Sequence, residues 1–230
     1  MKTHILTTVT TGLFALAAVS GCGSGQSTST TPMFEVSKAD TLPLNADEMN
    51  AVTGLKLNYQ DKVAPGYIEP PDPYVADQGD QQCVGLLGFD TSTIGTIYTA
   101  YRQNTSQEGK EDYTHNITQE VVLVADPGTA KKMLSDALAK PASACDGKTI
   151  HIKDGKVRRS FHKTAVSDTD VSVMISSLNL DPPNQPTGWG CAVDAHAKSN
   201  VVIYAMACQS GNGAPTAKAI VDKVSTKVPG

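Results

Sequence analysis

The sequence predicts an α+β domain: a twisted antiparallel β-sheet with helices packed against it, held by two disulfides and preceded by a signal peptide and a flexible tether. Three observations predict it. Apolar, strand-like segments occur in adjacent pairs separated by short turn signals, as antiparallel hairpins require. Helical segments, each with one apolar face, punctuate those strands. The 230 residues include five cysteines, 40% apolar residues and 18% charged residues, a composition that supports one packed core with covalent cross-links.

The first element is an address. Lys2 and His4 precede Ile5–Ala18, a run of apolar or small uncharged residues. The run is shorter than the ~20 apolar residues of a comfortable membrane span and suits a signal-peptide core. Val19-Ser20-Gly21-Cys22 then resembles the lipobox of bacterial prolipoproteins: an aliphatic residue, two small residues, then Cys. Alkylation of the thiol by a diacylglyceryl group, followed by cleavage just before it, requires small side chains beside the scissile bond. The expectation is a signal peptide over residues 1–21, a lipidated and palmitate-bearing Cys22, a linker over 22–41 and a folded domain over 42–230. The competing readings are an ordinary signal peptide cut elsewhere, with Cys22 free or disulfide-bonded, and an uncleaved helical anchor. Two or more acyl chains hold a protein stably at a bilayer, so the domain is expected on the extracytoplasmic face of the cell membrane.

With Cys22 assigned to lipid, Cys83, Cys145, Cys191 and Cys208 remain. Four cysteines in an oxidising compartment imply two disulfides with three possible connectivities. No pair has C-x-x-C spacing, so structural zinc and thioredoxin-like chemistry lack their signature.

Gly23–Asp40 is rich in Ser, Thr and Gly. As a flexible coil its about 18 residues reach roughly 20–25 Å. The fold is expected from Leu42. Asn45-x-x-Glu48 reads as a capping box, with Asp47 and Glu48 favoured by the helix dipole, Met49 and Val52 facing the core and Gly54 stopping the helix. Pro65–Gln82 holds Pro70-Pro71 and Pro73 and reads as an irregular connection. Gly95–Thr105 and Tyr113–Val124 read as strands around a polar turn, Gln103–Asp112. Val121–Val124 is continuously apolar, as in a central strand covered on both faces. Asp126 caps a helix that starts at Pro127, buries Ala130, Met133, Leu134, Ala137 and Leu138, and ends at Pro141.

Thr149–Ile152 and Lys156–Lys163 flank Asp154-Gly155, a hairpin signal. Val171–Leu180 reads as a strand, and Asp181–Gly188, with three prolines, as a loop. Trp189–Ala197 and Val201–Cys208 form a second hairpin around Ser199-Asn200. A final helix over Pro215–Val228 turns Ala217, Ile220, Val221, Val224 and Val228 inward. If Ser199-Asn200 are the two turn residues, Lys198 pairs with Val201, and counting outward sets Cys191 opposite Cys208. Opposed strand residues lie within disulfide range. Cys83 is then left to Cys145.

Together these features resemble the PknH-like extracellular sensor domain family of actinobacteria. The resemblance rests on the helix at Leu42–Gly54, on Cys83-Val84-Gly85 before a strand containing Tyr98, and on Gln119-Glu120-Val121-Val122-Leu123 followed by a small-residue helix and Cys145. It is completed by Trp189-Gly190-Cys191 leading to Asn200-Val201-Val202-Ile203 and Cys208. It covers about Leu42–Val228. In that family the domain is the outer part of a receptor Ser/Thr kinase or a stand-alone lipoprotein. The resemblance implies a twisted antiparallel sheet with a broad cleft, the pairings Cys83–Cys145 and Cys191–Cys208, and a ligand-sensing or ligand-binding role with no assigned activity. This chain carries no kinase domain and no spanning helix after the signal, so binding is the part of that role expected here.

Catalytic signatures are missing from the sequence. His115, His151, His162 and His196 have no metal-ligand spacing, and H-E-x-x-H, G-x-S-x-G and phosphate-loop motifs do not occur. Each histidine reads as an exposed strand or loop residue. Glu108, Glu111 and Asp112 read as a solvated turn. Lys156, Arg158 and His162 alternate with Ser160 and share a strand face, giving a modest anion-binding stripe or simply a solvent face. Trp189, Tyr98, Tyr101 and Tyr204 read as core aromatics before ligand contacts. The net charge of −4, without a basic stripe, argues against nucleic acid. The expected protein is a non-enzymatic, membrane-tethered binding or sensor-like domain of the cell envelope, with no metal or other cofactor. Its ligand is a small molecule, a glycolipid or an envelope protein. The alternatives are a lipid or glycolipid carrier, which needs a large apolar cavity, and a structural or protein-interaction lipoprotein.

Overall fold

The computed structural model describes residues 32–61, 66–111 and 113–230. The signal peptide, the lipobox with Cys22, the first part of the tether and Asp112 lie outside the described residues.

Among the described residues nine strands form one antiparallel sheet. They are β1 (Tyr59–Gln60), β2 (Ala76–Gln78), β3 (Tyr98–Gln107), β4 (His115–Val124), β5 (Thr149–Ile152), β6 (Val157–Val166), β7 (Asp170–Asn179), β8 (Pro186–Lys198) and β9 (Val201–Ser210). Their spatial order is β1-β3-β4-β9-β8-β7-β6-β5-β2. The two sheet faces are covered differently. One packs against α1 (Ala46–Thr53), α5 (Ala214–Ser225) and the 3-10 turn Val36–Thr41. The other packs against a 3-10 helix at Gln81–Leu87, the short α2 (Thr91–Ile94), and α3 (Pro127–Leu134) with its continuation α4 (Lys140–Ala144). The fold class is therefore α+β, with helices on both faces of an antiparallel sheet.

Local chemistry explains the boundaries. Asn45 Oδ1 accepts from Glu48 N at 3.0 Å while Glu48 Oε2 accepts from Asn45 N at 3.1 Å, the expected capping box. Gly54 closes α1 at φ +71°, a conformation that carries little penalty without a Cβ. Asp126 accepts from Thr129 N at 2.9 Å and Pro127 opens α3. Ser199-Asn200 is the β8–β9 turn, Lys198 pairs with Val201, and Cys191 faces Cys208. That pair is disulfide-bonded with its Cα atoms 3.9 Å apart; Cys83–Cys145 is the other bond, at 5.7 Å.

Four boundaries differ from expectation. The fold reaches back beyond Leu42: Phe34 N donates to Asn200 Oδ1 at 2.7 Å, Asn200 Nδ2 donates to Phe34 O at 3.1 Å, and Ala39 is fully buried. Residues 34–41 are thus part of the domain and not of a tether. Gln103–Gln107 continues β3 instead of turning, because its polar side chains find partners on β4. Asn104 Oδ1 accepts from Gln119 Nε2 at 2.7 Å, and the same amide of Gln119 clamps Leu44 from both sides. Pro141 does not end its helix. A π-turn over Ser135–Ala139 lets Lys140 N reach Ser135 O, and the widened turn accommodates a residue that has no N–H to donate. Finally, Pro186–Gly188 belongs to β8. Pro186 is its first residue, the place where a strand tolerates proline, and the register shifts between Ser176 and Leu178 on β7 to admit it.

Candidate functional site

Alternation along the strands divides the α3-covered face into two halves. On β4, Val122 and Val124 lie among the buried core residues on this face, whereas Asn116, Thr118 and Glu120 line an open cleft. On β8, Val193, Ala195 and Ala197 are core, whereas Thr187, Trp189 and Cys191 line the cleft. The floor continues through Gln103 and Thr105 on β3, Met206 and Cys208 on β9, Ser177 on β7, Val157 and Arg159 on β6 and Ile152 on β5. Seven strands thus supply one surface, enclosing about 1170 Å³.

The wall comes from the proline-rich connection and from the loop after the 3-10 helix at Gln81–Leu87. Tyr67, Glu69, Pro70, Pro71 and Tyr74 form one side and Leu87–Asp90 another. Tyr67 is tied to β3 by a reciprocal backbone pair with Gln103, N to O at 2.8 and 3.0 Å. Gly66 makes that approach possible, because a Cβ there would sit 2.1 Å from Gln103 O at a φ of +83°. The Tyr67 hydroxyl donates to Asp61 Oδ2 at 2.8 Å. The Tyr113 ring meets the Trp189 indole edge to face at 6.3 Å, and both border the cleft.

Glu120 is the chemically unusual floor residue. It is 1% exposed, and burial pushes its carboxyl up to about 8 despite hydrogen bonds that favour the charged form. Oε2 accepts from Phe89 N at 2.8 Å and Oε1 from Gln103 Nε2 at 3.1 Å. Gly88 permits this fit, since a Cβ there would approach Oε1 to 2.6 Å. At neutral pH the floor at this point is therefore mostly an uncharged acid. Arg159 is half-buried, donates to Ser177 Oγ and makes no ion pair among the described residues; burial alone lowers its pKa.

Some of the residues singled out from sequence stand where expected and others do not. Trp189 borders the cleft instead of filling the core, whereas Tyr101 and Tyr204 are fully buried. The proposed Lys156, Arg158 and His162 stripe does not form a site. Arg158 donates to Asn184 Oδ1 at 3.1 Å and His162 lies exposed near Asp146, while Lys156, in the preceding turn, reaches the cleft with Arg159. The histidines are not free surface groups: His115, His151 and His196 are half-buried and contact Glu108, Asp77 and Asp170 at 2.5, 2.6 and 2.7 Å. Glu108 is a satisfied acceptor and not merely a solvated turn. Partial burial raises its pKa, but donors on Thr114 and His115 bring it down to about 2. Among the described residues no cluster of three metal-ligating side chains occurs, and no helix is long and apolar enough to cross a membrane.

An antiparallel sheet stapled by two disulfides, half covered by helices and half open as a walled cleft, is the architecture of an extracellular sensor-type domain. The sequence profile of the PknH-like extracellular domain family matches residues 34–227, and the chain belongs to that family. It is similar to the solved extracellular domain of PknH from Mycobacterium tuberculosis: 25% identity, a TM-score of 0.70, covering 85% of this chain and 99% of that one. No curated protein sequence matches the chain.

Proposed function

We propose that this chain is a cell-envelope lipoprotein, anchored through Cys22 at the extracytoplasmic face of the membrane, whose folded domain binds a ligand in the cleft without catalysing a reaction. The observation that carries the reading is the cleft itself. Its volume of about 1170 Å³ lies just above the usual range of small-molecule sites. Its floor mixes apolar surface at Met206, Trp189 and the Cys191–Cys208 bond with hydroxyl and amide groups at Thr118, Asn116 and Gln103. An open, half-polar cleft suits recognition better than the closed apolar cavity of a lipid carrier. Exposed Ile68, Tyr74 and Val75 extend apolar contact along the connection that forms the wall, where a larger envelope molecule would rest.

Two measurements test the reading. Metabolic labelling with palmitate and fractionation should place label and protein together in the membrane, and Cys22→Ala should lose the label and release the chain. Unlabelled protein that stays in the cytosol with free thiols overturns the anchored, extracytoplasmic reading. Native mass spectrometry of the chain extracted from its own envelope should show a retained small molecule that Trp189→Ala displaces. A chain that emerges bare, and whose Trp189 emission no envelope extract changes, overturns ligand binding.

A further inference from the structure

The cleft is not uniform from end to end, and among the described residues its one half-buried cation, Arg159, lies at a single end. Arg102, also half-buried, has Asp40 with Nε to Oδ1 at 2.5 Å, and Lys227 has Glu48 at 3.0 Å. Arg159 has no carboxylate counterpart among the described residues. Its Nη1 is fixed by Ser177 Oγ, and the fully buried position of that serine orients the guanidinium. Removing a guanidinium from water without a counter-charge is costly, and a fixed planar fork of donors suits phosphate or carboxylate. Exposed Lys156 lines the same end and is likewise without an ion pair among the described residues. Two carboxylates of the connecting wall, Asp61 and Glu69, stand on either side of Tyr67, which pairs with β3 at the far side of the sheet order, while Asp72 lies between that pairing and the pairing of Ala76 with β5. A polyanion would meet those acids, whereas a ligand with one acidic end would not.

We propose that the β5–β7 end of the cleft is an anion subsite, in which Arg159, assisted by Lys156, receives the terminal phosphate or carboxylate of an extended ligand. This rests on the reading of the cleft as a ligand site and adds its chemistry. From β6 to β4 are four strand spacings, about 19 Å at ~4.8 Å each. Between them lie Met206, Trp189 and the Cys191–Cys208 bond, and beyond them the uncharged hydrogen-bonding groups of Thr118 and Gln103. The ligand is thus an elongated amphiphile: acidic head, apolar middle, neutral polar tail.

The test uses the full chain in phosphatidylcholine nanodiscs, with empty nanodiscs as blank. Octyl phosphate, octanoate and neutral octyl glucoside are titrated below their micellar concentrations, and emission of Trp189, the only tryptophan, reports occupancy. Octyl phosphate, octanoate or both should bind at least about tenfold tighter than the glucoside, a difference of ~1.4 kcal/mol. Which anion binds identifies the head group. Arg159→Gln should remove the preference, Arg159→Lys should keep part of it, Lys156→Gln should weaken it, and Arg158→Gln, outside the cleft, should leave it intact. If Arg159→Gln fails to fold, the Lys156→Gln and Arg159→Lys arms decide. Equal binding of anions and glucoside, no binding of either anion, or a preference that survives Arg159→Gln overturns the subsite. A neutral envelope molecule found in the cleft would do so too while leaving the ligand-binding reading standing.

Discussion

Replacing Glu120 by glutamine should make the domain more stable at pH 8 and almost unchanged at pH 5. The carboxyl is 1% exposed and is pushed by burial up to about 8, against an ordinary value of 4.5 in the unfolded chain. Below pH 4.5 both states hold the proton. Between 4.5 and about 8 the folded state keeps a proton that the unfolded state has released, so the free energy of unfolding falls as pH rises. Above about 8 the folded group is also ionised and the loss levels off. At ~1.36 kcal/mol per pH unit the full loss is roughly 4–5 kcal/mol, of which about 3 is already incurred at pH 7. Glutamine has no proton to lose. Its Oε1 can still accept from Phe89 N, and the Gln103 amide can turn its oxygen toward the new amide. The assay is urea unfolding of wild type and Glu120→Gln at pH 5, 6, 7 and 8, read by far-UV circular dichroism and Trp189 emission. All other titrations are common to both proteins and cancel. The expected result is a stability difference that grows by about 3–4 kcal/mol in favour of glutamine between pH 5 and pH 8. A difference constant within ~0.5 kcal/mol would refute the argument that this buried acid carries its proton at neutral pH.

Three other perturbations follow from the same geometry. Replacing Cys83 and Cys145 together by alanine should cost about 4 kcal/mol, because that bond closes 62 residues of chain. Losing Cys191–Cys208, which closes 17, should cost less, about 3 kcal/mol, because the closed loop is shorter; paired urea midpoints measure both. Glu108 is held down at about 2, so its contribution is present above pH 4.5 and disappears as pH falls toward 2. Glu108→Gln should lose up to about 3 kcal/mol at pH 7 and nothing at pH 2, as acid titrations of thermal stability will show. Asn200→Ala removes the clamp on Phe34 and one bond to Val124 O. It should cost roughly 1–3 kcal/mol and speed amide exchange at Phe34 while leaving exchange in β6 and β7 unchanged.

What could be read from sequence is what short-range chemistry decides. Asn45 with Glu48, Asp126 with Pro127 and Ser199 with Asn200 each set an element within four residues. The last of them was enough to place Cys191 opposite Cys208. The errors lie where the deciding partner is distant. Gln103–Gln107 looks like a polar turn until Thr118, Gln119 and Glu120 of β4 are beside it. Pro141 looks like a stop because nothing local announces a π-turn. Residues 34–41 look like tether because their partner, Asn200, is some 160 residues away. The arginine of the proposed anion subsite stands one position from Arg158 on β6. Arg158 and His162 lie on the outer parity, whereas Val157, Arg159 and Phe161 lie on the inner one. A cation between two inward apolar residues is the signal that would have found it.

That parity carries the deeper lesson about the site. Followed along each strand, the inward-facing row changes character along a boundary that steps across the sheet: Thr118 and Glu120 give way to Val122, Met206 to Tyr204, Thr187 and Trp189 to Val193, Ser177 to Ile175, and Arg159 to Phe161. The apolar half lies among core residues that include those of α3 and its continuation, and the Cys83–Cys145 bond ties the C-terminal end of that helix to the 3-10 helix beside it. The polar half begins where that cover ends, with Cys191–Cys208 near the boundary. A sheet covered on both faces has no reason to place an arginine, a serine and threonines on its inner rows, because each would cost desolvation without a partner. Their placement in one contiguous zone coincides with the part of the sheet that the helices leave open. Covered core and open cleft are therefore separated along the strands that line the cleft, and substitutions on the cleft side of that line, Glu120 and the Cys191–Cys208 pair apart, should change the proposed binding more than they change folding.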